Sequence, residues 1–193
     1  MELLIKGATV YLQKSNNPNR KTAYDLISVV KTLHDGIKTI VNIDSQIPNH
    51  CVSEWLPQSQ LFPSDTVFKR ETTFLNSRFD FSATYNNTTA YIEVKGVTLE
   101  NNGEAMFPDA PTTRGVKHIN ELTHCAKNGI PAYVIFVIQM EGTHSFSPNT
   151  TTDPAFAKAL KKAKDAGVNI LALDCTVTKT AISINKPIKT IIK

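Results

Sequence analysis

The chain has 193 residues, of which 41% are hydrophobic and 20% are charged, so it is able to bury a core in one domain with or without a smaller appendage. This composition excludes a disordered chain, and no apolar run approaches the roughly 20 residues of a membrane-spanning helix. The cysteines lack CxxC spacing, so we expect reduced thiols in a soluble, cytoplasmic protein. The formal net charge of +4 is compatible with a phosphate-rich partner but does not establish one.

The first third of the chain predicts an all-β piece. Its candidate strands, which alternate and favour β-structure, are 8–13, 24–33 and 37–43. A turn is expected at 34–36, and the polar segment 14–21 is expected to be an exposed loop. The cations of this loop, Lys14, Arg20 and Lys21, either contact phosphates or lie at a solvated hairpin tip, and the sequence leaves both alternatives open.

The middle of the chain predicts a helix followed by a meander. Pro48 stands near the start of a helix at 48–56, where its missing N–H costs little. The segments that favour β-structure after it are 66–74, 78–84 and 90–98, with a turn at 85–88 between the last two. A shift in composition near Gln46 marks the expected domain boundary, which separates residues 1–45 from 46–193.

The second half alternates helices and strands. A helix is predicted at 112–128, a strand buried on both faces at 132–139, a helix at 154–165 capped by Asp153, and a strand at 168–174. This order predicts an α/β core with a mixed sheet and helices packed on it. On the first helix, the expected inner stripe is Val116, Ile119, Leu122, Thr123 and Ala126. The expected opposite, solvent-facing side is Arg114, Lys117, His118 and Glu121.

Acidic and basic side chains occur together on two of the predicted strands. Glu93 and Lys95 share one face of their strand because side chains alternate. Asp80 lies on the preceding strand between Phe79 and Phe81, which we expect to anchor the opposite face. If the two strands pair through the turn, Asp80 and Glu93 lie close together.

Two neighbouring carboxylates repel each other unless a cation lies between them, and Mg²⁺ prefers oxygen ligands. Lys95 would then orient or deprotonate the attacking water and stabilise charge on a phosphate, as phosphodiester hydrolysis requires. The alternative is a modest exposed ion pair between Glu93 and Lys95, with Asp80 as a surface acid. E-x-K alone is too common to decide between them.

Several longer strings resemble the sugar fermentation stimulation protein A family. They are GATVYLQKSNNPNRKTAYDLISV (7–29), SRFDF (77–81), YIEVKGVTL (91–99), AMFPDAPTTRGVKHINEL (105–122), AYVIFVIQ (132–139) and DPAFAKALKKAKDAGVNILAL (153–173). The resemblance covers essentially the whole chain. It implies an OB-like (oligonucleotide-binding-like) β-barrel domain followed by a PD-(D/E)xK restriction-endonuclease-like domain, in a DNA-binding regulator of sugar metabolism, that of maltose in particular.

The resemblance also implies roles for individual residues. Asp80, Glu93 and Lys95 would be the catalytic residues of the nuclease motif. Asp80, Glu93 and the helical acid Glu54 would hold Mg²⁺ or Mn²⁺. The residues that would meet DNA are Lys14, Arg20, Lys21, Arg78, Thr113, Arg114, Lys117 and His118.

Family members usually begin a few dozen residues before the position that matches Gly7, so we expect a partial barrel at 1–45. A barrel that lacks strands exposes hydrogen-bonding edges, which favours an incomplete sheet or a homodimer contact. Two further functions stay open. A non-catalytic DNA-binding regulator would keep the nuclease fold, although two acids at a phosphate-binding face repel DNA without a metal. An enzyme acting on sugars would need a carboxylate pair at glycosidase spacing, which Lys95 and the basic helix do not suggest.

Overall fold

A computed structural model describes residues 3–17, 19–33, 36–75 and 77–193. In chain order, the strands are β1 (Val10–Lys14), β2 (Tyr24–Thr32), β3 (Lys38–Asn42), β4 (Val67–Phe74), β5 (Ser77–Tyr85), β6 (Thr88–Val97), β7 (Leu99–Asn101), β8 (Glu104–Phe107), β9 (Ala132–Ile138), β10 (Ser145–Pro148), β11 (Asn169–Val177), β12 (Ile182–Pro187) and β13 (Lys189–Thr190). The helices are α1 (Ile47–Trp55), α2 (Thr113–Lys127) and α3 (Pro154–Asp165), and a 3₁₀ turn (Leu56–Gln58) follows α1.

The strands form three sheets. The N-terminal sheet has the order β1-β2-β3 and is antiparallel. The six-stranded sheet has the order β12-β11-β9-β6-β5-β4. Its strands β6, β9 and β11 run parallel to one another. The other pairs, β11 with β12, β6 with β5 and β5 with β4, are antiparallel. A small sheet with the order β13-β10-β8-β7 completes the fold. A small N-terminal sheet is thus followed by a larger domain with mixed sheets, the order expected for an OB-like domain before an endonuclease-like domain.

Strand β9 occupies the centre of the six-stranded sheet, as its continuous apolar sequence predicts. Its neighbours β6 and β11 both pair with it in parallel. Parallel strands in such a position are covered on both faces, and six of the seven residues of β9 are buried.

Two apolar cores lie in the molecule. The first joins residues of α2 and α3 to Phe79, Phe136 and, from the N-terminal sheet, Val29 and Val41. The second joins α1 to the sheet through Val52, Leu56, Phe81 and Ile92, among others. Because β2 and β3 contribute to the first core, the N-terminal sheet packs against the endonuclease-like domain.

The ends of α2 and α3 meet through capping contacts. Thr112 caps α2 by accepting from the Gly115 N–H at 3.0 Å. Asp153 accepts from the Phe156 N–H through one oxygen and from the Thr112 N–H through the other, both at 2.9 Å. The predicted cap of α3 is therefore confirmed, and the same side chain also positions the start of α2.

The predicted helices and main strands are observed with ends shifted by a few residues. The turn expected at 34–36 falls partly on residues outside the described ranges. The sequence did not predict β7, β8, β10, β12 and β13. The expectation that Phe79 and Phe81 share one face is wrong, because Phe79 packs in the first core and Phe81 in the second.

The three cysteines are unpaired and buried. In the described part of the chain, no helix is long and apolar enough to cross a membrane.

Candidate active site

Glu93 lies at the centre of the candidate site, on β6, and is 2% exposed. Its Oε1 accepts a hydrogen bond from Lys95 Nζ at 2.5 Å, as the alternation of side chains along the strand predicts. His118 Nδ1 donates to the same oxygen from α2. The other oxygen, Oε2, is buried and has no hydrogen-bond partner among the described residues. One carboxylate oxygen is thus held by two basic side chains while the other is unsatisfied.

Asp80 approaches the same region from β5. Its Oδ2 accepts from the backbone N–H of Val94 at 2.8 Å, and its Oδ1 accepts from Asn49 Nδ2 at 2.9 Å. The regular pairing of β5 with β6 runs only from Tyr85 opposite Thr88 to Phe81 opposite Ile92. The Asp80 carboxylate therefore takes the N–H of Val94 just beyond the end of the regular ladder.

The surroundings shift the pKa values of the two carboxyls in opposite directions. Burial and then the negative charge of Glu93 raise the pKa of Asp80, against the hydrogen bonds from Val94 and Asn49. For Glu93, burial acts to raise the pKa, but the hydrogen bonds and charges of His118 and Lys95 outweigh burial and lower it.

The position of His118 corrects the predicted orientation of α2. His118 is 6% exposed and faces the sheet, where its ring meets that of Phe79 edge-on. The buried positions of the helix include Gly115, His118, Ile119 and Leu122, spaced i, i+3, i+4 and i+7. The predicted stripe omitted Gly115 because it has no side chain; including it would have placed His118 on the inner face.

The predicted metal ligand Glu54 is not brought to the other two acids. It is exposed on α1, whereas the residue of α1 that contacts Asp80 is Asn49. Within the described ranges, no three His, Cys, Asp or Glu side chains are grouped closely enough to hold a metal ion. Asp80 and Glu93 are the two acids whose charges interact in the candidate site, and the metal role of Glu54 stays a prediction.

Three of the predicted DNA contacts lie at the start of α2. Thr113, Arg114 and Lys117 are exposed, and Lys117 Nζ lies 3.9 Å from Glu121 Oε1. His118, one turn from Arg114, belongs to the buried site instead. This part of α2 thus presents exposed polar side chains and one buried imidazole next to Glu93.

The other predicted DNA contacts are exposed residues outside α2. Arg78 on β5 faces Glu71 at 3.6 Å. In the N-terminal loop, Lys14 and Lys21 are exposed, while Arg20 forms two hydrogen bonds of 2.5 Å to Asp25. Asp25 neutralises the Arg20 charge, which reduces the positive charge that this loop offers to phosphate.

The carboxylate pair fits a hard divalent cation. Carboxylate oxygens are the ligands that Mg²⁺, Mn²⁺ and Ca²⁺ prefer, and Glu93 Oε2 is a buried oxygen without a donor. Asp80 and Glu93 are the residues that would hold the ion. Because Mg²⁺ commonly uses one or two protein carboxylates and completes its shell with water and phosphate, two acids suffice.

Comparison with protein families finds two matches that together cover most of the chain. Residues 1–43 match the SfsA N-terminal OB domain. Residues 46–181 match the sugar fermentation stimulation protein RE domain.

Curated relatives match nearly the full chain. A sugar fermentation stimulation protein homolog from Ruminiclostridium cellulolyticum is 52% identical over 188 residues, which are 97% of this chain and 81% of the relative. A homolog from Clostridium beijerinckii is 51% identical over 183 residues, which are 95% of this chain and 79% of the relative.

A solved structure has the same fold. It is that of Pyrococcus furiosus SfsA in complex with Ca²⁺, with a TM-score of 0.85 and 27% sequence identity. The superposition covers 99% of this chain and 81% of the other.

Proposed function

Because the chain belongs to the sugar fermentation stimulation protein family, we propose that it binds DNA and hydrolyses phosphodiester bonds with a divalent metal ion held by Asp80 and Glu93. One observation carries this proposal: a buried glutamate whose Oε2 lacks a partner stands beside a second carboxylate and a lysine. The Ca²⁺ complex of the Pyrococcus relative supports a metal ion in this fold. We propose Mg²⁺ or Mn²⁺ as the working ion.

The residues around the ion have separate tasks. Lys95 and His118 both hold Glu93 Oε1, which keeps Glu93 ionised and leaves Oε2 for the metal. Asn49 and the Val94 N–H fix the Asp80 carboxylate. When bound, the ion supplies Lewis acidity at the scissile phosphate. Lys95, which is part-buried next to Glu93, supplies the positive charge that a phosphate under attack requires.

The test is cleavage and metal binding by matched variants. Single- and double-stranded DNA and RNA are incubated with wild type, Asp80→Asn and Lys95→Ala in Mg²⁺ or Mn²⁺. We expect each substitution to lower the cleavage rate at least about 100-fold. Asp80→Asn should also weaken Mn²⁺ binding in calorimetry, and an unchanged affinity would remove Asp80 as a ligand.

Glu54→Gln is the matched control, because it makes the same change from acid to amide at an exposed position of α1. We expect it to bind Mn²⁺ and to cleave as wild type does. A loss of metal binding in Glu54→Gln would restore the predicted set of three acids and contradict the carboxylate pair.

A second candidate is a DNA-binding regulator that does not cleave. It is favoured by the engagement of both Lys95 and His118 with one oxygen of Glu93, which balances the glutamate charge without a metal. This candidate is supported if wild type shifts DNA on a gel and leaves every substrate intact in Mg²⁺ and Mn²⁺. Such a result would contradict the catalytic proposal.

A further inference from the structure

The positive charge of the chain is concentrated at its C-terminal end. Residues 154–193 contain eight lysines and two aspartates, a formal charge of +6. Residues 1–153 contain 13 basic and 15 acidic residues, a formal charge of −2. The mildly basic character of the whole protein therefore comes from a segment other than the N-terminal loop and helix α2, where DNA contacts were predicted.

Part of this charge lines one groove, formed by α3, the C-terminal residues and the loop after β10. Its lining includes Lys158, Lys161, Lys162, Lys193, Thr150 and Glu104. The groove has a volume of about 540 Å³. Lys164 Nζ donates to the carbonyl of Ile192 at 3.3 Å, which fixes the C-terminal residues beside the helix. We call this feature the lysine groove.

Most lysines of the lysine groove have no acidic partner. Lys161 pairs with Asp165 at 2.6 Å. Within the part of the chain that the structure describes, no ion pair involves Lys158, Lys162 or Lys193. Lys158 and Lys162 stand i and i+4 on α3, where like charges destabilise a helix. Among the described residues that line the groove, Glu104 is the single acidic side chain, so the groove gathers like charges that an anion would stabilise.

The loop after β10 contributes residues to the lysine groove and to a second depression. Thr150 lines the groove, and its loop neighbours Asn149 and Thr152 line a second depression together with Thr98 and Asp109. Thr98 and Asp109 also line the cleft that reaches Gly96, the residue after Lys95. The second depression therefore neighbours the lysine groove through this loop and shares Thr98 and Asp109 with the cleft at the end of β6.

We infer that the lysine groove binds the sugar–phosphate backbone of duplex DNA outside the site of cleavage. Lysine holds phosphate as a point charge without reading bases. The lysines come from a helix and from the chain end and lie side by side, an arrangement that suits a repeating polyanion more than a single phosphate. The inference rests on the proposed DNA binding but not on cleavage.

The test compares two triple variants of equal charge. Lys158, Lys162 and Lys193 are each replaced by Gln in one variant. Lys38, Lys69 and Lys127, exposed lysines on β3, β4 and the end of α2, are replaced by Gln in the other. Binding of a short duplex DNA is followed by fluorescence anisotropy in EDTA over a series of salt concentrations, and thermal unfolding confirms that both variants fold.

We expect the groove variant to bind at least about tenfold more weakly at low salt, with a salt slope reduced by about 2 to 3 because each lost phosphate contact removes roughly 0.9. The control variant should stay within about twofold of wild type. Equal losses in both variants, or no loss in the groove variant, would overturn the inference. If the groove variant binds DNA more weakly while wild type leaves DNA intact in Mg²⁺, the proposed cleavage is contradicted and this inference is not. If wild type cleaves DNA and the groove variant binds DNA as wild type does, this inference is contradicted and the proposed cleavage is not.

Discussion

Strands β9 and β1 show how differently the six-stranded sheet and the N-terminal sheet are built. In β9, at the centre of the six-stranded sheet, six of seven residues are buried. In β1, in the N-terminal sheet, four of five are exposed. Residues such as Val29 and Val41 of β2 and β3 are fully buried, but in a core whose other members belong to the endonuclease-like domain. The comparison teaches that the N-terminal sheet is ordered chiefly by packing on its neighbour.

Gln139 forms a group of hydrogen bonds at the junction between the two regions. Its backbone carbonyl accepts from the Asn42 N–H at 2.9 Å. Its side-chain amide donates to two oxygens of Asn42 and to the carbonyl of Asp44, all within 3.1 Å. Gln139 follows β9 directly, so the most buried strand of one sheet holds the last strand of the other.

The largest effect is expected at Phe136, in the middle of β9. It is 0% exposed and packs against Phe107, Phe146 and Phe156. Phe136→Ala should lower the free energy of unfolding by about 3–5 kcal/mol, because it leaves a cavity among these rings. Leu12→Ala on β1, where Leu12 is 55% exposed, should change it by less than about 0.5 kcal/mol in denaturant titrations. Similar costs at both positions would refute the contrast between the sheets.

A smaller effect is expected at the junction. Gln139→Ala removes the side-chain donor from the backbone carbonyls of Asn42 and Asp44, while Asn42 Oδ1 keeps the N–H of Asp44, so we expect a loss of about 1–3 kcal/mol. Hydrogen exchange should become faster in β3 and remain slow in β9. Gln58→Ala, which removes an amide with one exposed hydrogen bond, is the control. Unchanged exchange in β3 would show that the Gln139 hydrogen bonds do not hold the N-terminal sheet.

The capping residue Asp153 should give a pH-dependent effect within the endonuclease-like domain. Hydrogen bonds from the N–H groups of Thr112 and Phe156 lower its pKa. The ionised carboxylate therefore stabilises the fold above the ordinary Asp pKa of about 3.9, and this stabilisation is lost as the pH falls through the lowered value. Asp153→Ala should cost about 1–2 kcal/mol at neutral pH.

The difference between wild type and Asp153→Ala should shrink once the pH falls below about 4, as the wild-type carboxyl takes up its proton. Denaturant titrations at a series of pH values measure it. A difference that stays constant down to the lowest pH would show that Asp153 acts through packing rather than through its charge.

The smallest effect concerns the N-terminal loop. Because Asp25 neutralises Arg20, replacing Lys14, Arg20 and Lys21 by Ala should reduce the salt slope of DNA binding by at most about 2. That is less than we expect for the lysine groove. An unaltered slope would support the solvated hairpin tip, and a larger reduction than that of the groove variant would reverse the ranking of the two surfaces.

Sequence patterns predicted the parts of the fold that repeat regularly. The alternation of side chains along a strand predicted that Glu93 and Lys95 lie next to each other. The continuous apolar sequence of β9 predicted its position at the centre of a sheet. The family resemblance predicted an N-terminal OB-like domain followed by an endonuclease-like domain, and the family matches confirm both domains. Patterns missed the short strands β7, β8, β10 and β13, because two to four residues are too few to show a period.

The differences between the predicted and the observed site have separate causes. Phe79 and Phe81 lie in different cores, and the regular β5–β6 ladder ends between Asp80 and Phe81, which alternation alone does not show. Glu54 was assigned by resemblance, whereas Asn49, a neutral residue, makes the contact with Asp80. His118 was assigned to the exposed face because a glycine in the buried stripe carries no hydrophobic signal. The domain boundary near residue 45, the partial barrel and the homodimer stay predictions.

The contact between Asp80 and the Val94 N–H has a consequence for the history of such a site. One side chain would serve both the proposed chemistry and the cohesion of two strands, so selection for a stable fold would protect it even when selection for activity is relaxed. Asparagine keeps an oxygen that accepts from Val94, whereas alanine leaves the N–H unsatisfied. A lineage that gave up cleavage would therefore pass through Asn at this position, still folded and still capable of regaining the acid by a single substitution.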